Sequence, residues 1–362
     1  MHKIRWTRAM RVPAAVAVGL AVFLAAGVCA AVQAPHDVWL ISTRSAPWSN
    51  PVDGEDRIVY WHLDADKNWA SADLEAFLAT DDTAVPTCVY IHGNRTTHSE
   101  AVREGWSVSQ KLKREAPDRP LRFVIWSWPA DQIRGIRQDV QVKAYRSDVQ
   151  AYYLAYSLGR MNPEVRVSLI GYSFGARTIT GALHLLAGGE FARRSLPEGT
   201  APVERTPVRA VLVAAAMNAD WLSPGRANGL ALSLAERVLV TRNTYDPVLQ
   251  YYPRMYGRGG PQALGYTGPA RASRLGEQRE KVEILPVERS VGSNHDWDGY
   301  LRASPVRSRL AWYAFLEPPE AEADASDAEQ DASKSESGAL KPQAGSEGPA
   351  LSADGPAGQG TP

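Results

Sequence analysis

Apolar and polar positions change rhythm repeatedly along the first 316 residues, and the changes mark the elements. Thr87–Ile91, Arg122–Trp126, the first half of Val165–Ala176, Val208–Ala214, Arg237–Arg242 and Val282–Pro286 are short runs rich in β-branched and aliphatic residues. Such runs fit strands buried on both faces of a parallel sheet. Between them the spacing shifts to a helical period over Ser99–Arg114, Ala144–Arg160 and Ala176–Leu186. In the second of these, Val149, Tyr152, Tyr153 and Tyr156 share a face; in the third, Ile179, Ala182, Leu183 and Leu186 do. Upstream, Val38–Ser42 and Ile58–His62 flank a Pro/Asn/Gly-rich loop and predict an antiparallel start to the sheet. Ser71–Ala79 reads as a short helix with Ser71 as N-cap, and Val306–Phe315 as a closing helix. The alternation predicts an α/β fold. It would be a mostly parallel twisted sheet of about eight strands, with helices on both faces joined by right-handed crossovers. No internal repeat is visible.

The stretch Val165–Ala176 ends its strand-like half in Gly171-Tyr172-Ser173-Phe174-Gly175, and a helical pattern follows at once. Strand, sharp turn with a central serine, then helix is the context of a nucleophile elbow, in which bulky neighbours two residues either side would collide. The pentapeptide alone is weak, because a serine hydroxyl needs a base within hydrogen-bond reach and a third group to orient that base. On such a sheet these follow the serine in the order acid, then histidine.

Two of the seven histidines follow Ser173. His184 lies more than two turns into the next helix and reads as structural or surface. His295, in Gly292-Ser293-Asn294-His295-Asp296-Trp297, falls in a loop after the last strand, where the base is expected. Two aspartates follow the ends of intervening strands: Asp246 in Asn243-Thr244-Tyr245-Asp246-Pro247, and Asp220 in Met217-Asn218-Ala219-Asp220. Asp246 fits the usual position and Asp220 is the alternative acid. For the oxyanion, the expected donors are the backbone amides of Phe174, after the nucleophile, and of Asn94, in the loop His92-Gly93-Asn94-Arg95. Gly93 would let the backbone pass close to substrate, and His92 would hold the loop in shape.

Together, Val89-Tyr90-Ile91-His92-Gly93-Asn94, Trp126-Ser127-Trp128-Pro129, Tyr145 with Asp148, and Gly171–Gly175 resemble the α/β-hydrolase superfamily. More narrowly they resemble a poorly characterised bacterial branch of serine-hydrolase-like proteins; Asn243–Asp246 and Ala263-Leu264-Gly265 fit it too. The resemblance spans Thr87 to Phe315 and covers 35–85 poorly. It implies an α/β-hydrolase domain over 35–316, a Ser173–Asp246–His295 triad, and hydrolysis of a carboxylic ester or related acyl bond. The branch commonly carries Phe or Tyr after His-Gly, where this chain has Asn94. An acyltransferase using the same triad, or a binding module on the same scaffold, are the alternatives.

Composition adds the ends. Lys3, Arg5, Arg8 and Arg11 precede an apolar run from Val12 to Val32 with small residues around Ala30 and Ala34. Residues 1–34 are thus expected to be a signal peptide or an uncleaved membrane anchor of a periplasmic or extracellular protein. Residues 317–362 hold ten acids, two lysines and no aromatic residue, the composition of a disordered acidic tail. The remaining body carries 34 basic and 30 acidic residues, which gives no case for nucleic acid as partner. A small or lipid-like acyl substrate is the expected partner. Cys29 lies in the leader, so Cys88 reads as a lone buried thiol, and no cofactor or metal pattern appears. Trp126, Trp128, Trp221 and Trp297 would either line an acyl pocket or cover the sheet. The segments 187–207 and 257–276 read as rim or lid.

Overall fold

A computed structural model describes residues 36–48, 55–200, 204–257 and 259–317. The expected leader at 1–34, and the acidic tail beyond Glu317, lie outside the described residues.

Nine strands form one sheet. In chain order they are β1 (His36–Ser42), β2 (Val59–Leu63), β3 (Trp69–Ala72), β4 (Thr87–Ile91), β5 (Leu121–Ser127), β6 (Val167–Tyr172), β7 (Val208–Val213), β8 (Ala235–Arg242) and β9 (Val282–Pro286). Their spatial order is β3-β2-β1-β5-β4-β6-β7-β8-β9. From β1 through β9 every neighbouring pair is parallel, while β2 runs against both β1 and β3. The sheet is therefore mostly parallel with a mixed edge built by the first 72 residues. Every residue of β4, β5, β6 and β7 is buried, which is why these segments are mostly apolar rather than alternating.

The principal helices are α2 (His98–Glu115), α3 (Ile136–Arg160) and α4 (Phe174–Leu186), with α1 (Leu74–Leu78) short and peripheral. Helix α2 begins in a capping box, Thr97 and Glu100 each bonding the other's backbone amide. Helix α4 is buried at every position, sandwiched so that its apolar content needs no polar face. Beyond β8 lie α5 (Pro247–Tyr251), α6 (Leu264–Thr267), α7 (Glu288–Val291), α8 (Trp297–Arg302) and α9 (Ser304–Tyr313).

Two sequence expectations change here. Ser71 is not an N-cap: Trp69–Ala72 pairs antiparallel with β2 as a ninth strand, and Asp73 caps α1 by accepting from the Ala76 amide at 2.8 Å. Trp69 and Ala72 are partly buried on this edge strand, Ser71 is taken up in the ladder with β2, and Asp73, directly before α1, is left as the cap. Helix α3 begins eight residues earlier than Ala144, because Asp139 in its first turn is buried and bonded from several sides.

A buried cation in β5 is paired rather than stranded. Arg122 donates to Thr87 Oγ1 at 2.9 Å and to the Phe77 carbonyl at 3.1 Å, and ion-pairs with Asp81. Cys88 is buried in β4, and burial pushes its thiol up to about 12, so it stays protonated.

Candidate active site

Ser173 sits between β6 and α4 with φ at +55°, a left-handed backbone that a residue with a Cβ adopts only under constraint. The constraint is visible on both sides. The Ser173 amide donates to the Val213 carbonyl at 2.9 Å, and its own carbonyl accepts from Ala176 and Ala216, each at 3.2 Å. A Cβ at Gly171 would lie 2.6 Å from the Gly175 carbonyl carbon and 2.7 Å from the Ala176 nitrogen; one at Gly175 would run into the Ile91 carbonyl. Only glycine at both positions lets α4 leave the strand so abruptly.

Above the serine, three side chains fall in line. Ser173 Oγ is 3.2 Å from His295 Nε2, and His295 Nδ1 is 2.6 Å from Asp246 Oδ2. The serine and aspartate are buried, and the imidazole is 16% exposed, so the line opens to solvent only at the ring. Asp246 is the N-cap of α5. Its Oδ1 accepts from the Val248 and Leu249 amides at 2.9 and 3.1 Å, and its Oδ2 accepts from Tyr300 at 2.9 Å besides His295. Four donors on one buried carboxylate fix its position. Asp220, the alternative acid, instead faces Arg226 at 3.3 Å.

The histidine loop is held from two directions. Tyr172 donates its hydroxyl to the His295 carbonyl, and Asn243 Nδ2 donates to the Gly292 carbonyl at 2.9 Å. Burial pushes the Tyr172 and Tyr300 phenols up, so both remain donors. These tyrosines escape sequence reasoning, because one is a variable position of the elbow and the other lies in a helix after the histidine.

The loop after β4 faces the serine. Gly93 packs under Tyr172 so closely that a Cβ there would lie 2.8 Å from its ring. His92 is buried, with Nδ1 2.9 Å from the Gly93 carbonyl and Nε2 accepting from the Trp128 amide at 3.1 Å. Its ring stacks on Trp128, centroids 5.4 Å apart. With Nδ1 donating and Nε2 accepting, His92 is a neutral clamp on the loop. The next residues are tied to α3: Asn94 Nδ2 and Arg95 Nε reach Asp139 Oδ2 at 3.2 and 2.8 Å, while the Ile133 amide and Lys143 reach Oδ1. Burial alone would raise the Asp139 carboxyl, but Arg95, the Ile133 amide and Lys143 hold it below its ordinary value.

The clamp predicts acid sensitivity. Burial lowers His92 from the usual 6.5 to about 3, although its Gly93 bond opposes the shift. Between those values the unfolded chain binds a proton that the folded chain refuses, so stability is present above pH 6.5 and falls as pH drops towards 3. Urea unfolding of His92→Asn across that window is expected to show a shallower loss than wild type. A slope identical to wild type would contradict it.

Ser173, Phe174, Asn94 and His295 all line a cavity of about 480 Å³. Phe174 is the first residue of α4, where a helix leaves its amides without internal partners. Apart from Arg95, the other walls are mostly apolar, with Ile136 and Val140 from α3, and Val248, Leu249, Tyr251 and Met255 from α5 and the short 3-10 turn after it. No tryptophan contributes. Trp126, Trp128 and Trp297 are buried against the sheet, and Trp221 lies beneath the Arg177 guanidinium, 4.4 Å from its carbon. Among the described residues, none of 187–207 or 257–276 lines it, and Phe191 of the former packs on Trp221. His184 accepts from the Leu230 amide at 3.1 Å and is structural. Asp148 pairs with Arg177, its Oδ1 2.6 Å from Nε. Gly171, Gly175 and Gly93 thus shape the turn, while the predicted rim is replaced by the start of α3 and by α5. Among the described residues, no group of three His, Cys, Asp or Glu is placed to hold a metal ion.

No family model matches the chain, and no curated protein does. Among solved structures, a lipase-esterase related protein from Clostridium acetobutylicum ATCC 824 aligns over 65% of this chain and 96% of its own, at 11% identity and a TM-score of 0.32. A likeness that distant carries no argument about chemistry. The functional reading rests on the geometry of the site.

Proposed function

We propose that this protein is an exported serine hydrolase of the α/β-hydrolase fold, cleaving a carboxylic ester or related acyl bond through Ser173, His295 and Asp246. One observation carries the reading: the unbroken line from Ser173 Oγ through both ring nitrogens of His295 to Asp246, at the floor of an apolar cavity. Acyl transfer needs this set, a hydroxyl made nucleophilic by a base whose tautomer a buried carboxylate fixes.

In the proposed reaction, Ser173 Oγ attacks the carbonyl carbon while His295 Nε2 takes the hydroxyl proton. The amides of Phe174 and Asn94 stabilise the charge that develops on the carbonyl oxygen. The tetrahedral intermediate collapses as imidazolium returns the proton to the departing alkoxide, leaving an acyl-serine and a free alcohol. Water, deprotonated by His295, then attacks the acyl-serine, and the proton returns to Ser173 as the carboxylic acid leaves. Asp246 keeps the Nδ1 proton facing itself throughout and stabilises imidazolium without taking a proton. A Ser–His separation of 3.2 Å puts Nε2 within reach of the hydroxyl proton it takes. Export follows from the basic and apolar pattern of residues 1–34.

Mixing the protein with a short p-nitrophenyl ester should release a rapid burst of about one nitrophenol per site before steady turnover, the mark of an acyl-enzyme. Nitrophenol release without a burst, and with no acyl group on the protein after acid quench, would overturn the covalent route.

A further inference from the structure

The cavity above Ser173 meets a second cavity of similar size, about 480 Å³, along Ile136, Val140, Tyr251 and Met255. These four apolar side chains come from opposite walls: the first two lie one turn apart on α3, the others on and just after α5. Among the described residues, the outer cavity has two further lining residues, Arg137 and Arg254, and no aspartate or glutamate lines either space.

The charges differ in how far they are committed. Arg95, which lines the inner cavity, is spent on Asp139. Arg254 lies over the Tyr251 ring, 5.1 Å from its centroid, and neither Arg137 nor Arg254 is paired with a carboxylate among the described residues. Both are exposed, at the solvent end of an apolar passage whose seam residue Ile136 is itself 70% exposed. The sequence from the serine outwards is thus nucleophile, apolar chamber, apolar seam, two free guanidiniums. A wholly aliphatic arm would leave its end against two cations. A short anionic arm would bury its charge in the apolar chamber. An arm that is apolar beside the carbonyl and anionic at its far end satisfies both regions, since guanidinium binds carboxylate and phosphate alike.

Resting on the serine-hydrolase reading, we propose that the preferred substrates are esters whose acyl arm crosses this seam and ends in an anion, carboxylate or phosphate, held by Arg137 and Arg254. The acyl arm is the one retained through both half-reactions, so the apolar chamber serves it while the alcohol leaves past the ring of His295.

The test pairs p-nitrophenyl monoesters of succinic, adipic and sebacic acids with neutral butanoate, hexanoate and decanoate esters, and adds a phosphonate-ended decanoate. The ratio of kcat/KM, anionic over neutral, should rise with chain length and reach about tenfold for the longest pair. That ratio should shrink in high salt and fall below one in R137E/R254E, with R137Q/R254Q between. Preference for the carboxylate-ended arm, the phosphonate-ended arm or both supports the assignment and names the head group. Ratios near one at every length, a preference independent of length, or one that survives R137E/R254E overturns it while leaving the hydrolase reading intact. If no ester of either kind is cleaved, the hydrolase reading and this inference fall together.

Discussion

His295→Gln is expected to lower kcat for a short aryl ester by about 10⁵-fold, with KM changed far less. The glutamine side chain can still meet the Ser173 hydroxyl but has no lone pair basic enough to take its proton. No other base stands in. His92, the next histidine in the neighbourhood, has both ring nitrogens engaged by the Gly93 carbonyl and the Trp128 amide, and its depressed basicity keeps it neutral. The loop should persist, because Tyr172 holds it through the backbone carbonyl of residue 295 and Asn243 through that of Gly292. Steady-state kinetics with near-ultraviolet circular dichroism as a folding control is the check. A kcat within tenfold of wild type would remove His295 from the mechanism.

Asp246→Asn should cost about 10³- to 10⁴-fold in kcat and also weaken the fold, by about 1–3 kcal/mol. The carboxylate accepts four hydrogen bonds, two on each oxygen. An amide NH₂ has to replace one oxygen. Placed at Oδ2 it points donors at the His295 Nδ1 proton and the Tyr300 hydroxyl. The ring then flips tautomer and presents Nε2–H, rather than a lone pair, to Ser173. Placed at Oδ1 it opposes the two amides that start α5, the element that walls the cavity. Asp220→Asn supplies the contrast: that carboxylate is partly exposed and faces only Arg226, so kcat should change by less than about threefold. The reverse ranking of the two variants would make Asp220 the acid.

Much of this site was legible because its parts are local. The elbow reads from five residues, since two glycines flanking a serine at that spacing answer a steric demand that adjacent backbone imposes. Central strands read from their mostly apolar, β-branched runs. The order of acid and histidine after the serine placed both within their loops, and the structure brings Asp246, not Asp220, to His295. What stayed hidden depends on distant partners. The first two turns of α3 look like a polar loop, with Arg137, Gln138 and Asp139 in a row. They become helix because Asp139 is satisfied by Asn94 and Arg95, some 45 residues upstream. Ile136 and Val140 therefore reach the cavity, and nothing in their own neighbourhood announces it. Tryptophans near strand ends invited a pocket assignment, yet burial against the sheet takes more of their large surface from water than a pocket wall would. The third strand was hidden in a segment whose pairing partner, not its own pattern, decides its state.

The central claim is that Ser173 Oγ is the nucleophile. Incubating wild type and Ser173→Ala with a fluorophosphonate probe, then mapping the modified peptide by mass spectrometry, tests it with least intervening inference. A single adduct on Ser173 is expected in the wild type, with loss of ester turnover as it forms, and neither adduct nor turnover in Ser173→Ala. Labelling that persists in Ser173→Ala, or turnover that survives full modification of Ser173, would contradict it.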